Sequence, residues 1–246
     1  MYLTRAFLDP RRGGALRLVA NPQAMHAAIL RGMPTQPVPA AAPGAPRVLW
    51  RLDADDPRRP ILWLLSPEKP DLTALMQVAG APGNGVPSWE SREYTPLLTG
   101  LRAGQRFAFR LTANPTRSVR VHDASDTRRV EHVTAEHQVR WLVERAERCG
   151  FRILTSDVML PDRAEPALEL RLRSREKVRF RRGGVQGRQV TVVRVGYEGA
   201  LEVVDPDAMR SALTSGIGHA RAYGCGLLTL ARLPGRCNGV VEGRGA

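Results

Sequence analysis

The chain has 246 residues, with 37 Lys+Arg against 24 Asp+Glu and a formal charge of +13. Its 43% apolar and 25% charged residues exclude a disordered polyelectrolyte and fit one large domain or two small ones, and no apolar run approaches the ~18 residues of a membrane span. Cys149, Cys225 and Cys237 form no CxxC pair and have no histidine cluster beside them, which excludes a disulfide scaffold, argues against a metal site and fits a reducing cytoplasm.

The opening MYLTRAFLD has no signal-peptide layout and instead predicts a strand over Tyr2 to Leu8. A helix follows with marked ends: Asn21 as N-cap, Pro22 at the first helical position and Gly32 just past the last. Met25, Ala28 and Ile29 share its inward face. After a Pro/Ala/Gly loop to Pro46, strands are expected at Val48 to Leu52 and Ile61 to Leu65 and a short helix at Leu72 to Val78; after the loop AGAPGNGVPS, a last strand is expected at Glu93 to Leu98.

The second half opens with a strand at Arg106 to Thr112, ended by Asn114-Pro115. Thr134 caps a helix through Cys149, stopped by Gly150, whose predicted core face is Val139, Leu142, Val143, Ala146 and Cys149. Phe151 to Leu154 is a strand. Two long alternating segments, Leu168 to Arg181 and Arg188 to Val204, flank Gly183, Gly184 and Gly187 and predict a hairpin. Asp205-Pro206 begins a helix to about Ser215, and Leu227 to Ala231 is a closing strand. Each half thus runs strand, helix, strand, strand, helix, strand. This predicts an α+β protein of two tandem ferredoxin-like domains with antiparallel sheets, residues 1–99 and 100–234, each sheet keeping one face free for a partner. Residues 235–246 show no periodicity and are expected to form a flexible tail.

The positive excess is almost wholly arginine, Lys69 and Lys177 being the only lysines. Arginine's planar fork suits phosphate and base stacking, although codon bias in a GC-rich genome would also enrich it, so distribution must decide. Arg171, Arg173, Arg175, Lys177, Arg179 and Arg181 occupy every odd position from 171 to 181 within one predicted strand. On a regular strand they form a row on one face, ~6.6 Å apart. With Arg182 and Arg188 included, residues 171–188 carry +7, which exceeds what edge protection of a strand needs and reads as a polyanion-binding ribbon suited to duplex RNA.

Two other features carry possible chemistry. His26 lies mid-helix, one position off the apolar stripe, with Gln23 one turn before it; a histidine there serves either structure or proton transfer. None of the five histidines forms an HxxxH or HExxH pair, so metal catalysis has no support. In GIGHARAYGCGLL, Gly216, Gly218, Gly224 and Gly226 surround Arg221, and such a loop lets backbone N–H groups approach a phosphate.

The MYLTR opening, NPQAMH (Asn21 to His26), FRLTANP, the Trp141-Leu142 pair, EGALEVVD and the glycine-rich segment occur in an order and spacing that resemble the CasE family, the CRISPR repeat-processing endoribonuclease of type I-E Cascade. The resemblance runs nearly end to end. It implies tandem ferredoxin-like domains and metal-independent, cofactor-free cleavage of precursor CRISPR RNA at the base of each repeat hairpin. The 2′-hydroxyl attacks the adjacent phosphate and leaves a 2′,3′-cyclic phosphate and a 5′-hydroxyl. His26 takes the position of the family's catalytic histidine, and the product stays bound within Cascade with its other subunits. One departure is Gln23, which stands where relatives often carry tyrosine. The second catalytic role then rests with Gln23 itself, Tyr2, Arg31 or Tyr223. Otherwise the chain is a weakly active or inactive RNA-hairpin-binding subunit. In the glycine-rich loop, His219 and Arg221 stand where proline and lysine are common.

Overall fold

The computed structural model describes residues 1–35, 47–80, 88–120, 127–131, 134–156, 166–182 and 187–233. The expected tail, the centre of the Ala79 to Ser88 loop, most of the loop before Arg47 and the Gly183-Gly184 turn lie outside the described residues.

The first unit comprises β1 (Tyr2–Phe7), α1 (Gly13–Ala20), α2 (Pro22–Arg31), β2 (Leu49–Asp53), β3 (Ile61–Ser66), α3 (Thr73–Ala79) and β4 (Trp89–Glu93). Its strands are ordered β2-β3-β1-β4, all neighbours antiparallel, which is the ferredoxin-like arrangement. α2 starts where the local chemistry directs: Asn21 Oδ1 accepts from the backbone N–H of Gln23 and Ala24 at 3.0 and 3.2 Å, and Pro22 needs no partner. Met25, Ala28 and Ile29 are buried as expected, in a core with Leu62, Leu64 and Trp50.

Two expectations fail here. The sequence predicts no helix where α1 lies, because its Gly13-Gly14 start is a poor helix signal. The strand expected at Glu93 to Leu98 ends at Glu93, which pairs with Tyr2, and α4 (Thr95–Gly100) follows. Pro96 explains the change, since it cannot donate to a ladder but fits a helix's first turn.

The second unit comprises β5 (Arg106–Ala113), the unforeseen hairpin β6 (Thr116–Arg120) and β7 (Thr127–Glu131), α5 (Ala135–Ala146), β8 (Phe151–Ile153), β9 (Leu170–Arg182), β10 (Arg188–Val203), α6 (Pro206–Ser215) and β11 (Leu228–Arg232). Short 3-10 turns lie at Glu147–Cys149 and Arg221–Tyr223. The sheet order is β11-β5-β10-β8, and β9 also pairs with β10. β8 meets Leu201 to Val203 while β9 meets Arg188 to Gly199, so the two share one sheet position. α5 is turned from its expected face. Gln138, Trp141, Leu142 and Ala146 are buried and Val143 is exposed, because Trp141 stacks on Tyr197 and the Tyr197 hydroxyl donates to the Gln138 carbonyl at 3.0 Å.

The units are not independent. Leu49 and Leu65 of the first sheet lie in the same core as Phe109, Leu111 and Leu228 of the second. Buried Arg51 bonds Asp53 at 2.7 and 2.9 Å and reaches the Arg110 carbonyl and Thr229 Oγ1, each at 2.9 Å. The sheet faces expected to be free for a partner instead border a shared cleft of about 1000 Å³, lined by Leu3, Trp63, Leu170 and Leu230 among others.

Candidate functional site

α2, the 3-10 turn Arg221–Tyr223 and β9 converge at the junction of the units. His26 is half-buried on α2; its Nδ1 is buried without a hydrogen-bond partner among the described residues, and burial lowers its pKa below the usual histidine value. The ring is therefore neutral at pH 7. Gln23 lies one turn earlier on the same helix and is half-buried, whereas Arg31 is exposed in the last turn. Tyr2 opens β1 between Ser66 and Glu93, away from the 3-10 turn in the sheet order. Tyr223 packs edge-on against Phe180 of β9, with ring centroids 4.7 Å apart, in a small cluster with Val192 and buried Cys225. Tyr223 therefore ties β9 to the turn that packs on α2, and Gln23 and Arg31 lie on α2 itself.

The row of six cations does not form. Ser174 faces Gly196 and Leu172 faces Tyr197, so Arg173 is an extra residue and the pairing shifts by one. A bulge of this kind reverses the face on which later side chains emerge. Arg175, Lys177, Arg179 and Arg181 stay in register with Val195, Val193, Thr191 and Gln189 and form an exposed row of four. It continues outward from the helix-covered core that holds Val193 and Val195. Arg171 and Arg173 emerge on the opposite face. Arg171 pairs with Glu198; Arg173 pairs with Glu198 at 2.7 Å and with Asp55 of the first unit. Burial works against ionisation of Glu198, but the Arg171 bond and the nearby charges of Arg173 and Arg110 hold its carboxyl below the usual range. Arg182 and Arg188 face each other in register at the hairpin end, both exposed.

The glycine-rich loop is shaped first by packing. A Cβ on Gly218 would lie 3.0 Å from the Trp141 ring and one on Gly224 2.8 Å from the Trp50 ring, and both have φ near +80°. The Gly216 and Gly226 N–H groups donate to the carbonyls of Ala212 and Thr112, so the expected phosphate approach through backbone N–H groups does not extend to these two. Arg221 is half-buried, and its Nε has no partner among the described residues. Burial, and then the charge of Arg47, lower its proton affinity. Arg47, Asp55 and Glu198 went unrecognised. Glu198 stands inside the EGALEVVD segment, but the other two carry no local signal, because only the packing of the units brings them to the site. Among the described residues, no group of three or more His, Cys, Asp and Glu side chains could hold a metal.

A double ferredoxin-like fold, with a half-buried histidine on the helix that packs against a glycine-shaped turn and with an exposed cationic hairpin, defines the class: a nucleic-acid-binding protein. The family model described as CRISPR associated protein matches residues 1–232. The CRISPR-associated endoribonuclease Cse3 of Thermus thermophilus is 32% identical over 94% of this chain and 100% of its own length. The structure of Cse3 bound to 19 nt RNA matches with a TM-score of 0.73 at 30% identity, over 94% of this chain and 100% of that one. Cas6e of Escherichia coli, 23% identical with a TM-score of 0.62 over 95% of this chain and 100% of that one, shares the fold. The chain belongs to the CRISPR-associated Cse3 (CasE) family.

Proposed function

We propose that this protein is the endoribonuclease that matures CRISPR RNA within Cascade. It binds the repeat hairpin and cuts at its base in the cytoplasm. The observation that supports this is the packing of the His26 helix against the 3-10 turn and against β9, the strand that also carries the exposed cations Arg175 to Arg181. The row holds the stem through its phosphates, and the site presents the scissile nucleotide to His26 Nε2. His26 takes the proton from the 2′-hydroxyl as the O2′–P bond forms and the P–O5′ bond breaks. Tyr223, a phenolic O–H donor placed by Phe180, returns a proton to the departing 5′-oxygen. Gln23 binds a non-bridging phosphate oxygen. Atoms and protons balance without metal or cofactor.

Incubating the protein with a repeat hairpin in EDTA tests this. The expected products end in a 2′,3′-cyclic phosphate and a 5′-hydroxyl; strict dependence on added divalent metal would sink the mechanism. Gln23 favours a second reading, a binding subunit without useful catalysis. Hairpin RNA held tightly but uncut at every time point would select it.

A further inference from the structure

The face of the first sheet turned away from its helices carries side chains that neither the hairpin row nor the His26 helix uses. Ala6, Leu62 and Leu64 point into the helix-covered core, so Leu3, Arg5 and Phe7 of β1 and Ile61 and Trp63 of β3 emerge on the other face. The register sets Trp63 directly opposite Arg5, and Arg5 opposite Glu90 of β4, in one row across three strands; Arg92 lies opposite Leu3 in the next row. Phe7 holds two guanidiniums against the sheet, that of Arg59 at 4.4 Å and that of Arg5 at 5.5 Å from its ring centroid. Arg5 pairs with Glu90, whereas Arg59 is exposed and makes no ion pair among the described residues. Trp63 is half-buried and, with Leu3 and Ile61, lines the cleft of about 1000 Å³, which Leu170 and Leu230 of the second unit line as well. Such a volume admits a ligand larger than one base. Of the carboxylates that line it, Asp53 is paired with Arg51, and Glu198 with Arg171 and Arg173. Three arginines against one glutamate beside an indole, on the central strands of a four-stranded sheet, suit stacked bases and their phosphates. A peptide would match the apolar lining but not the cations; unpaired nucleic acid matches both.

We propose that this face is a second RNA site, which binds unpaired nucleotides flanking the hairpin, with a base stacked on Trp63 and adjoining phosphates on Arg5 and Arg59. It rests on the RNA-processing reading above. It lies on the opposite side of the first sheet from α2, and it takes single strand where the hairpin row takes duplex.

The test uses the full chain and a hairpin RNA with 2′-deoxyribose at the stem-base nucleotides, so that it binds without being cut. The RNA is prepared blunt or with a short unpaired extension at either end, its purines replaced by 2-aminopurine, whose fluorescence falls on stacking. Affinity is measured by anisotropy across a KCl series. For wild type, one extension should tighten binding about 10-fold over the blunt hairpin and be quenched. Trp63→Leu should abolish both effects and Trp63→Phe should keep part of each. Arg59→Gln should weaken binding of the extended RNA about 3-fold and lower its salt slope by about 0.7, unlike the control Lys69→Gln, whose side chain is exposed just after β3. Every variant should hold the blunt hairpin as wild type does; if Trp63→Leu fails to fold, Trp63→Phe and Arg59→Gln decide. Equal wild-type affinities for blunt and extended RNA overturn the second site and leave the RNA-processing reading standing, and so does an extension effect that Arg59→Gln and Lys69→Gln alter alike. Loss of the quench when other Cascade subunits are added makes the face a protein interface and overturns RNA as its occupant. If wild type binds the hairpin no better than an unstructured RNA, the RNA-processing reading fails. Oligouridine then decides the second site: quenching of tryptophan fluorescence that Trp63→Phe abolishes upholds it, and no quenching overturns it.

Discussion

His26 shows how one side chain's surroundings set its chemistry. Burial alone lowers its pKa, so protonation is disfavoured in the folded state. For a group with a depressed folded pKa that must be neutral to act, function is present above that pKa and lost as pH falls through it. The single-turnover cleavage rate should therefore hold its plateau below pH 6.5, with the acid limb on the low side of the ordinary histidine value. A limb centred above pH 6.5 contradicts the role of neutral base. His26→Ala should bind the hairpin with wild-type affinity and cut about 100- to 10,000-fold more slowly. Gly224 poses a steric question at the same scale. An added methyl meets the Trp50 ring at 2.8 Å on a backbone with φ +80°, so Gly224→Ala should lower stability by about 1–3 kcal/mol, read as a fall in the urea midpoint.

At the level of elements, the bulge at Arg173 divides the basic strand into two populations. Arg175 and Arg179 lie in the exposed row, whereas Arg171 and Arg173 are engaged by Glu198 and Asp55. Replacing Arg175 and Arg179 with Glu should weaken hairpin binding at least 100-fold and flatten its salt dependence, while Arg171→Gln should change affinity less than 3-fold. Equal losses from both changes would refute the division. The sequence made the strand and its charge legible but not the bulge, since the Arg-x-Arg alternation runs through it unbroken. α2 was readable because Asn21, Pro22 and Gly32 are local signals. The buried face of α5 was not, because Trp141 takes its partner from β10, 56 residues away. His26 and the glycine-rich segment were visible in the sequence, whereas Arg47 and Asp55 join the site only through packing of one unit on the other.

The whole molecule depends on the seam between the two sheets. Arg51 is 2% exposed, and its guanidinium is satisfied from both units at once. Asp53→Asn leaves that buried cation without its counter-charge and should cost about 3–5 kcal/mol in a denaturant titration, whereas the paired replacement Arg51→Met with Asp53→Asn should cost less than the single change. A single change no worse than the pair would mean the seam is held by its apolar core alone. Because the core is continuous across the seam, unfolding should follow one transition for both units.

The 3-10 turn at Arg221–Tyr223 also sets a time order. It packs on α2, whose residues are made about 195 positions earlier, and on β2 of the first unit. At synthesis rates of about 5–20 residues per second, roughly 10–40 s separate the two. Throughout that interval a nascent chain carries the histidine helix with no turn opposite it. Ribosome-bound chains stalled before the turn should therefore leave repeat transcripts intact, and competence should arrive abruptly when the last strand docks.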